Sequence, residues 1–149
     1  MIANLGRDRT AAASLEFAVA GTTILILLLA IFDIGLLFVD QRGVDFGANK
    51  AARWAAVNSA SLTNANVLTQ FKSATASSLG TNNQNCQAYT SGASIPAGTN
   101  CYITVALSNG ATVGGLVTIT ATYNWSPLSA VTGLTAATLQ STVALTIQN

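Results

Sequence analysis

Residues 17–39 read FAVAGTTILILLLAIFDIGLLFV, an apolar stretch interrupted by a single charge, Asp33. As a helix rising 1.5 Å per residue, this stretch reaches about 34 Å, enough to cross roughly 30 Å of hydrocarbon. Glu16 and Asp33 lie about 25 Å apart on such a helix, so they can bracket the apolar core near its two interfaces. No A-x-A-like cleavage site follows the stretch, so we expect it to be retained and not removed as a secretory signal peptide.

The charge distribution excludes several classes of function. All eleven charged residues lie at or before Lys72, and residues 73–149 carry none. The net charge of +1 leaves no basic patch for phosphates, so no nucleic-acid partner is predicted. Histidine is absent, and no acid, base or activated nucleophile follows Lys72. We therefore predict no enzyme activity, no catalytic residues, no metal site and no cofactor.

Small residues recur every four positions just after the apolar stretch. One ridge is Gly43, Gly47, Ala51 and Ala55, and its neighbour is Val44, Ala48, Ala52, Ala56 and Ala60. Two glycines inside a helix cost about 1 kcal/mol each relative to alanine, which indicates a packing reason for them. Such ridges let another helix approach closely, so we interpret them as an assembly surface. Their spacing leaves open whether the partner is the chain's own domain or another subunit.

The rest of the chain predicts a small α+β domain. A break at residues 59–64 precedes a second helix, and residues 80–100 are predicted to be a long loop. Three strands follow, joined in part by an Asn-Gly turn at Asn109. The middle one alternates with one apolar face: Val117, Ile119, Ala121, Tyr123 and Trp125. The fold class is therefore α+β, with a long transmembrane helix continuing into a domain with a second helix and a three-stranded antiparallel sheet.

Two cysteines, Cys86 and Cys101, lie in the uncharged half of the chain. Their spacing differs from the CxxC of redox and zinc motifs, and it favours a disulfide closing one loop, worth about 3 kcal/mol; two buried free thiols are the alternative. Disulfides persist outside the cytosol. This pair and the threonine-rich half favour an extracytoplasmic domain, so we expect a single-pass membrane protein with a cytoplasmic N-terminus.

Several sequence strings resemble the TadE family of the tight-adherence (Tad, or Flp-type) pilus system. They are Ala12-Ala-Ser-Leu-Glu-Phe17 before the apolar stretch, Phe32-Asp-Ile-Gly35, and Lys50-Ala-Ala-Arg53. A threonine-rich strand ending in an aromatic residue and Pro-Leu, residues 117–128, is similar to the closing pattern of the family. The resemblance covers residues 9–57 and 115–147.

The resemblance implies a pilin-like structural subunit that assembles through its N-terminal helix. A prepilin peptidase would cut between Ala11 and Ala12, where this chain has alanine in place of the usual glycine. Glu16 would then be the fifth mature residue, followed by Phe17, and its carboxylate would pair with the N-terminal amine of a neighbouring subunit. The implied partners are other pilin-like subunits (copies of itself or the major pilin), the peptidase, the pilus assembly machinery of the inner membrane and the lipid bilayer.

These inferences divide the chain into a leader-like segment (1–11), a transmembrane and assembly helix (12–60) and an extracytoplasmic domain (61–149). The alternative function is a membrane-tethered binding module, an adhesin acting outside a filament through residues 80–100. Leucine at Gly43 or Gly47 is expected to abolish piliation in a filament subunit and to leave a lone binding module unaffected.

Overall fold

A computed structural model describes the backbone of residues 9–148 and the side chains of residues 13–148. The element order is α1 (Arg9–Val57), α2 (Asn64–Thr75), β1 (Gln87–Thr90), β2 (Cys101–Ser108), β3 (Leu116–Trp125) and β4 (Ala137–Thr146). Three short 3₁₀ helices lie between these elements, at Ser59–Ser61, Gly80–Asn85 and Ala130–Thr132. The greater part of the predicted leader-like segment lies outside the described residues.

The helix α1 is 49 residues long and contains no proline, so nothing in it removes a helical hydrogen bond. Asn58 ends it: its backbone N–H and its side-chain Nδ2 both donate to the carbonyl oxygen of Trp54, at 3.0 and 2.9 Å. These bonds satisfy a carbonyl that the terminating helix would otherwise leave unpaired. The predicted continuity from the apolar stretch into the alanine-rich segment is confirmed.

The second helix, α2, begins with a side-chain cap. The Thr63 hydroxyl accepts a hydrogen bond from the backbone N–H of Asn66 at 3.2 Å. Val67, Phe71 and Thr75 form its buried face, which packs against α1. The predicted second helix is therefore confirmed.

The sheet has four strands in the order β1-β2-β3-β4, so the predicted count of three was one too low. The antiparallel pairs β2–β3 and β3–β4 are as expected, but β1 runs parallel to β2, making the sheet mixed. The disulfide accounts for this direction. Cys86 immediately precedes β1 and Cys101 opens β2, so the bond holds the starts of both strands together and the strands leave it side by side. The segment 80–100 is consequently not a plain loop.

The predicted inner face of β3 is confirmed. Val117, Ile119 and Ala121 are fully buried, and Tyr123 and Trp125 are nearly so. They pack in one core with the small residues of α1 and with Phe71 of α2. The domain is thus a four-stranded sheet covered on one face by two helices, which accounts for the burial of a single apolar face per strand.

Candidate membrane and assembly surfaces

Most side chains on the N-terminal half of α1 are exposed. The helical segment Ala13–Val57 is long and apolar enough to cross a membrane, with a mean hydropathy of 2.6 in its most apolar window, of which 6% is buried. Phe17 is 80% exposed and Leu28 58% exposed, and most of the other large side chains of the stretch are exposed too, while Leu36 and Leu37 near its end are partly buried. A core helix of a soluble protein would be covered instead, so this surface favours an apolar environment that residues 13–148 do not themselves supply.

The predicted assembly ridges lie inside the chain's own domain. Gly43 and Gly47 are buried, and so are Ala51 and Ala55 of the same ridge. The neighbouring ridge is buried from Val44 to Ala56, whereas Ala60 is exposed. The question left open by the spacing therefore has a structural answer: the ridges contact the second helix and the sheet of their own chain.

The two glycines mark the closest approach of α1 to α2 and to the residues that follow it. A Cβ at Gly47 would lie 2.5 Å from Cγ2 of Thr75 and 2.7 Å from Cε2 of Phe71, and one at Gly43 would overlap Ser78. Leucine at either position would disturb the fold in a filament subunit and in an isolated binding module alike. The expectation that a lone module would be unaffected is therefore wrong, and these substitutions do not separate the two functions.

The opposite face of α1 is the one left free beyond the apolar stretch. Phe46 is 61% exposed there, and Arg42, Arg53 and Val57 lie on the same exposed side. An open groove of about 450 Å³ runs beside Phe46, between α1 and the residues that follow α2. We call Arg42, Phe46, Arg53 and Val57 the outer stripe. Sequence reasoning missed it, although spacings of four, seven and four residues opposite the small ridges would have indicated it.

Asp33 binds the connection between β3 and β4. Its carboxylate is 1% exposed and accepts two hydrogen bonds of 3.1 Å: Oδ1 from the backbone N–H of Leu128 and Oδ2 from the hydroxyl of Thr132. An acid inside an apolar helix is expected to have such a partner. The sequence located the acid, but the partner lies 95 or more positions away along the chain.

A second polar cluster lies just after the apolar stretch and consists of Asp40, Tyr123 and Asn82. Burial raises the pKa of Asp40 above its usual value. Burial also raises the pKa of Tyr123, with a further contribution from the Asp40 carboxylate, while the hydrogen bond from Asn82 Nδ2 to the phenol oxygen lowers it. Tyr123 therefore stays a neutral phenol at physiological pH and ties the 3₁₀ helix at Gly80–Asn85 to the sheet.

The predicted disulfide between Cys86 and Cys101 is confirmed. It is one of several contacts that hold residues 80–100. Asn83 is buried and its Nδ2 donates to the carbonyl of Lys72 at 2.7 Å, while Lys72 Nζ donates to the carbonyl of Gln84 at 2.9 Å. The first part of this segment is thus fixed to α2.

The residues implied in processing and pairing lie at the start of α1. The helical backbone includes Ala11 and Ala12, whose side chains lie outside the described residues. Glu16 and Phe17 are both exposed on the bare half of the helix. Both are therefore accessible to a neighbouring molecule, and their roles in processing and assembly stay predictions.

Comparison with protein families confirms the resemblance at this end of the chain. Residues 11–53 match the family of TadE-like proteins. The matched segment covers the bare apolar half of α1 and most of the half buried in the domain. No curated protein and no solved structure matches the chain.

Proposed function

On the premise that residues 11–53 are TadE-like, we propose that this protein is a pilin-like structural subunit of a Tad-type pilus. The apolar half of α1 holds it in the inner membrane of a bacterium, with the N-terminus in the cytoplasm. The domain that carries the Cys86–Cys101 disulfide lies outside the cytosol, where disulfides persist. From this position, the subunit supports filament biogenesis and adhesion to surfaces.

The observation that carries this proposal is the division of α1 into two halves. The second half supplies small residues to the core of its own domain, and among the described residues the first half is covered only near Asp33, leaving most of its large apolar side chains exposed. One rigid helix therefore carries a folded head on an apolar stalk. A stalk of this kind is stable in lipid, and bundling it with the stalks of other subunits would keep it away from water in a filament.

Glu16 gives the stalk a site for pairing. It is exposed at the start of the apolar stretch, where an ionised carboxylate is costly unless it is paired or hydrated. A prepilin peptidase cutting between Ala11 and Ala12 would create an α-amine on each neighbouring subunit as its partner. We expect Glu16→Ala to reach the membrane normally and to be missing from sheared filaments, whereas Glu16→Asp keeps a charge and retains some assembly.

Mass spectrometry of the mature protein should find Ala12 as its first residue, and an intact Met1 would contradict processing at this site.

The outer stripe supplies the contact between heads, and Phe46→Glu tests it. Phe46 is 61% exposed, so the change should alter the free energy of unfolding by no more than about 0.5 kcal/mol. A charge in an apolar contact between subunits should nevertheless remove the variant from filaments. The measurement is immunoblotting of sheared filaments against whole membranes in a strain that lacks the native gene.

Val113→Glu is the matched control, because Val113 is 62% exposed at the far end of the domain. This variant should enter filaments in normal amounts. An adhesin outside a filament predicts a different result: adhesion by Phe46→Glu cells equal to wild type, and no wild-type protein in the sheared fraction. That result would replace the filament subunit with the tethered module.

A further inference from the structure

The β3–β4 loop, residues 126–136, is attached by hydrogen bonds to the apolar half of α1. Its attachment is the pair of hydrogen bonds to Asp33 from Leu128 and Thr132. The single proton of the Thr132 hydroxyl is shared between Asp33 and the carbonyl oxygen of Ser129, which lies 3.0 Å away, so this hydroxyl links the loop both to itself and to the helix. Its position along α1 is therefore set by Asp33.

Two large apolar side chains of this loop face outwards. Leu128 is 77% exposed and Val131 65% exposed, each more than any other large apolar residue of the described chain after Val39. Leu134, by contrast, packs against the core. No residue between 126 and 136 carries a charge. The loop thus directs the Leu128 amide and the Thr132 hydroxyl towards Asp33, and presents two large apolar side chains outwards.

The level of Asp33 places this apolar tip at a bilayer boundary. Asp33 lies sixteen positions after Phe17, or about 24 Å along the helix. If the hydrocarbon layer, roughly 30 Å thick, begins just after the charged residue Glu16, it extends a little beyond Asp33. Asp33 then lies within the last ~6 Å of the hydrocarbon layer on the side of the domain. Leu128 and Val131, held at that level, face the same medium as the exposed side chains of α1.

The opposite end of the domain lies far from this level. The backbone N–H of Gln148 donates to the carbonyl of Ala56 at 2.7 Å, and Gly114 and Gly115 bond to Ile147 beside it. Ala56 is about 35 Å further along α1 than Asp33, so β3 runs from the far end of the domain back towards the membrane. The β2–β3 turn, with Val113 at its tip, marks the far end.

The loop backbone suits a position beside lipid, where unpaired N–H groups are costly. Pro127 has no N–H, Leu128 donates to Asp33, and the N–H of Val131 donates to the hydroxyl of Ser129 at 3.3 Å. The segment that faces the lipid therefore hides part of its polar backbone, although its only helical turn is the short 3₁₀ helix at Ala130–Thr132.

We propose that the β3–β4 loop inserts Leu128 and Val131 into the bilayer that α1 crosses, as a second membrane contact beside the stalk. The partner is the lipid of the leaflet nearest the domain. The inference rests on the proposed membrane anchorage by α1, and it holds for either orientation because loop and domain lie on the same side. The second contact restrains the tilt of the head relative to the membrane before the subunit is extracted into a filament.

Single-cysteine labelling of the full chain tests the proposal. Both native cysteines are in the disulfide, so Val131→Cys introduces the one free thiol for an environment-sensitive fluorophore. The matched control is Val113→Cys, a similarly exposed valine at the far end, and Leu28→Cys reports on the span. Each labelled protein is reconstituted sparsely in vesicles of phosphatidylethanolamine and phosphatidylglycerol, with and without nitroxide-bearing lipid.

The expected result is a blue-shifted emission for Leu28→Cys and Val131→Cys relative to Val113→Cys. Nitroxide placed near the headgroups should quench Val131→Cys several-fold more strongly than Val113→Cys. If Val131→Cys matches Val113→Cys while Leu28→Cys stays blue-shifted, the loop proposal fails and the anchor stands. If all three report water, the membrane anchorage itself fails. If Val131→Cys is shielded only at high protein density, copies of the chain cover the loop, and the lipid proposal is overturned.

Discussion

Replacing Asp33 with alanine is expected to release the β3–β4 loop from α1 and to lower the free energy of unfolding by about 3 kcal/mol. The reason is that two donors, the N–H of Leu128 and the hydroxyl of Thr132, lose a carboxylate that is 1% exposed. Each hydrogen bond to a charged group contributes roughly 1.5–3 kcal/mol, and relief from burying the charge offsets part of that sum. Hydrogen exchange at the Leu128 amide in detergent micelles measures the release directly.

Asp33→Asn is the matched variant. Its amide oxygen can still accept from Leu128, and its amide nitrogen can donate to the Thr132 oxygen, so most of the contact survives without the charge. We expect a smaller loss of stability and a Leu128 amide that stays protected. A Leu128 amide equally protected in Asp33→Ala and wild type would show that the carboxylate does not hold the loop.

The second large effect is expected for leucine at Gly47. A side chain there meets Phe71, which is 1% exposed, and Thr75, which is fully buried. Thr75 cannot move without breaking its 2.8 Å hydrogen bond to Oδ1 of Asn83, which in turn holds the 3₁₀ helix after α2. Overpacking a core costs typically 1–3 kcal/mol, and we expect Gly47→Leu to reach about 3 kcal/mol, the upper end of that range. Denaturant unfolding followed by tryptophan fluorescence, which reports on the buried Trp125, measures it.

Gly35→Leu is the control on the same helix. A Cβ at Gly35 meets no atom within 4 Å, so the change should stay within about 1 kcal/mol of wild type. If Gly47→Leu were as stable as Gly35→Leu, the close contact between α1 and α2 described above would be wrong. In cells, Gly47→Leu should lower the amount of protein before it affects any assembly step.

The course of residues 80–100 shows where sequence reasoning stopped. Polar residues, glycines and one proline predict a loop, and the cysteine pair predicts a tether. What spacing does not show is direction: a strand of four residues, β1, pairs in parallel with β2 because the disulfide joins their starts. A single short strand has no hydrophobic pattern of its own, so its formation depends on the neighbour to which it bonds.

The features of the candidate surfaces also fall into those that the sequence predicts and those that it does not. Local patterns were sufficient for the apolar stretch, the continuous helix, the inner face of β3 and the disulfide, since each depends on residues close in the chain or on a unique pair. Only the tertiary structure decided what covers the ridge from Gly43 to Ala55, because small residues admit any helix or sheet that comes near. It also decided the partner of Asp33, because a buried carboxylate requires donors but does not specify which ones. These two sets of long-range contacts also determine which side chains stay exposed, namely Phe46 on α1 and Val131 on the β3–β4 loop.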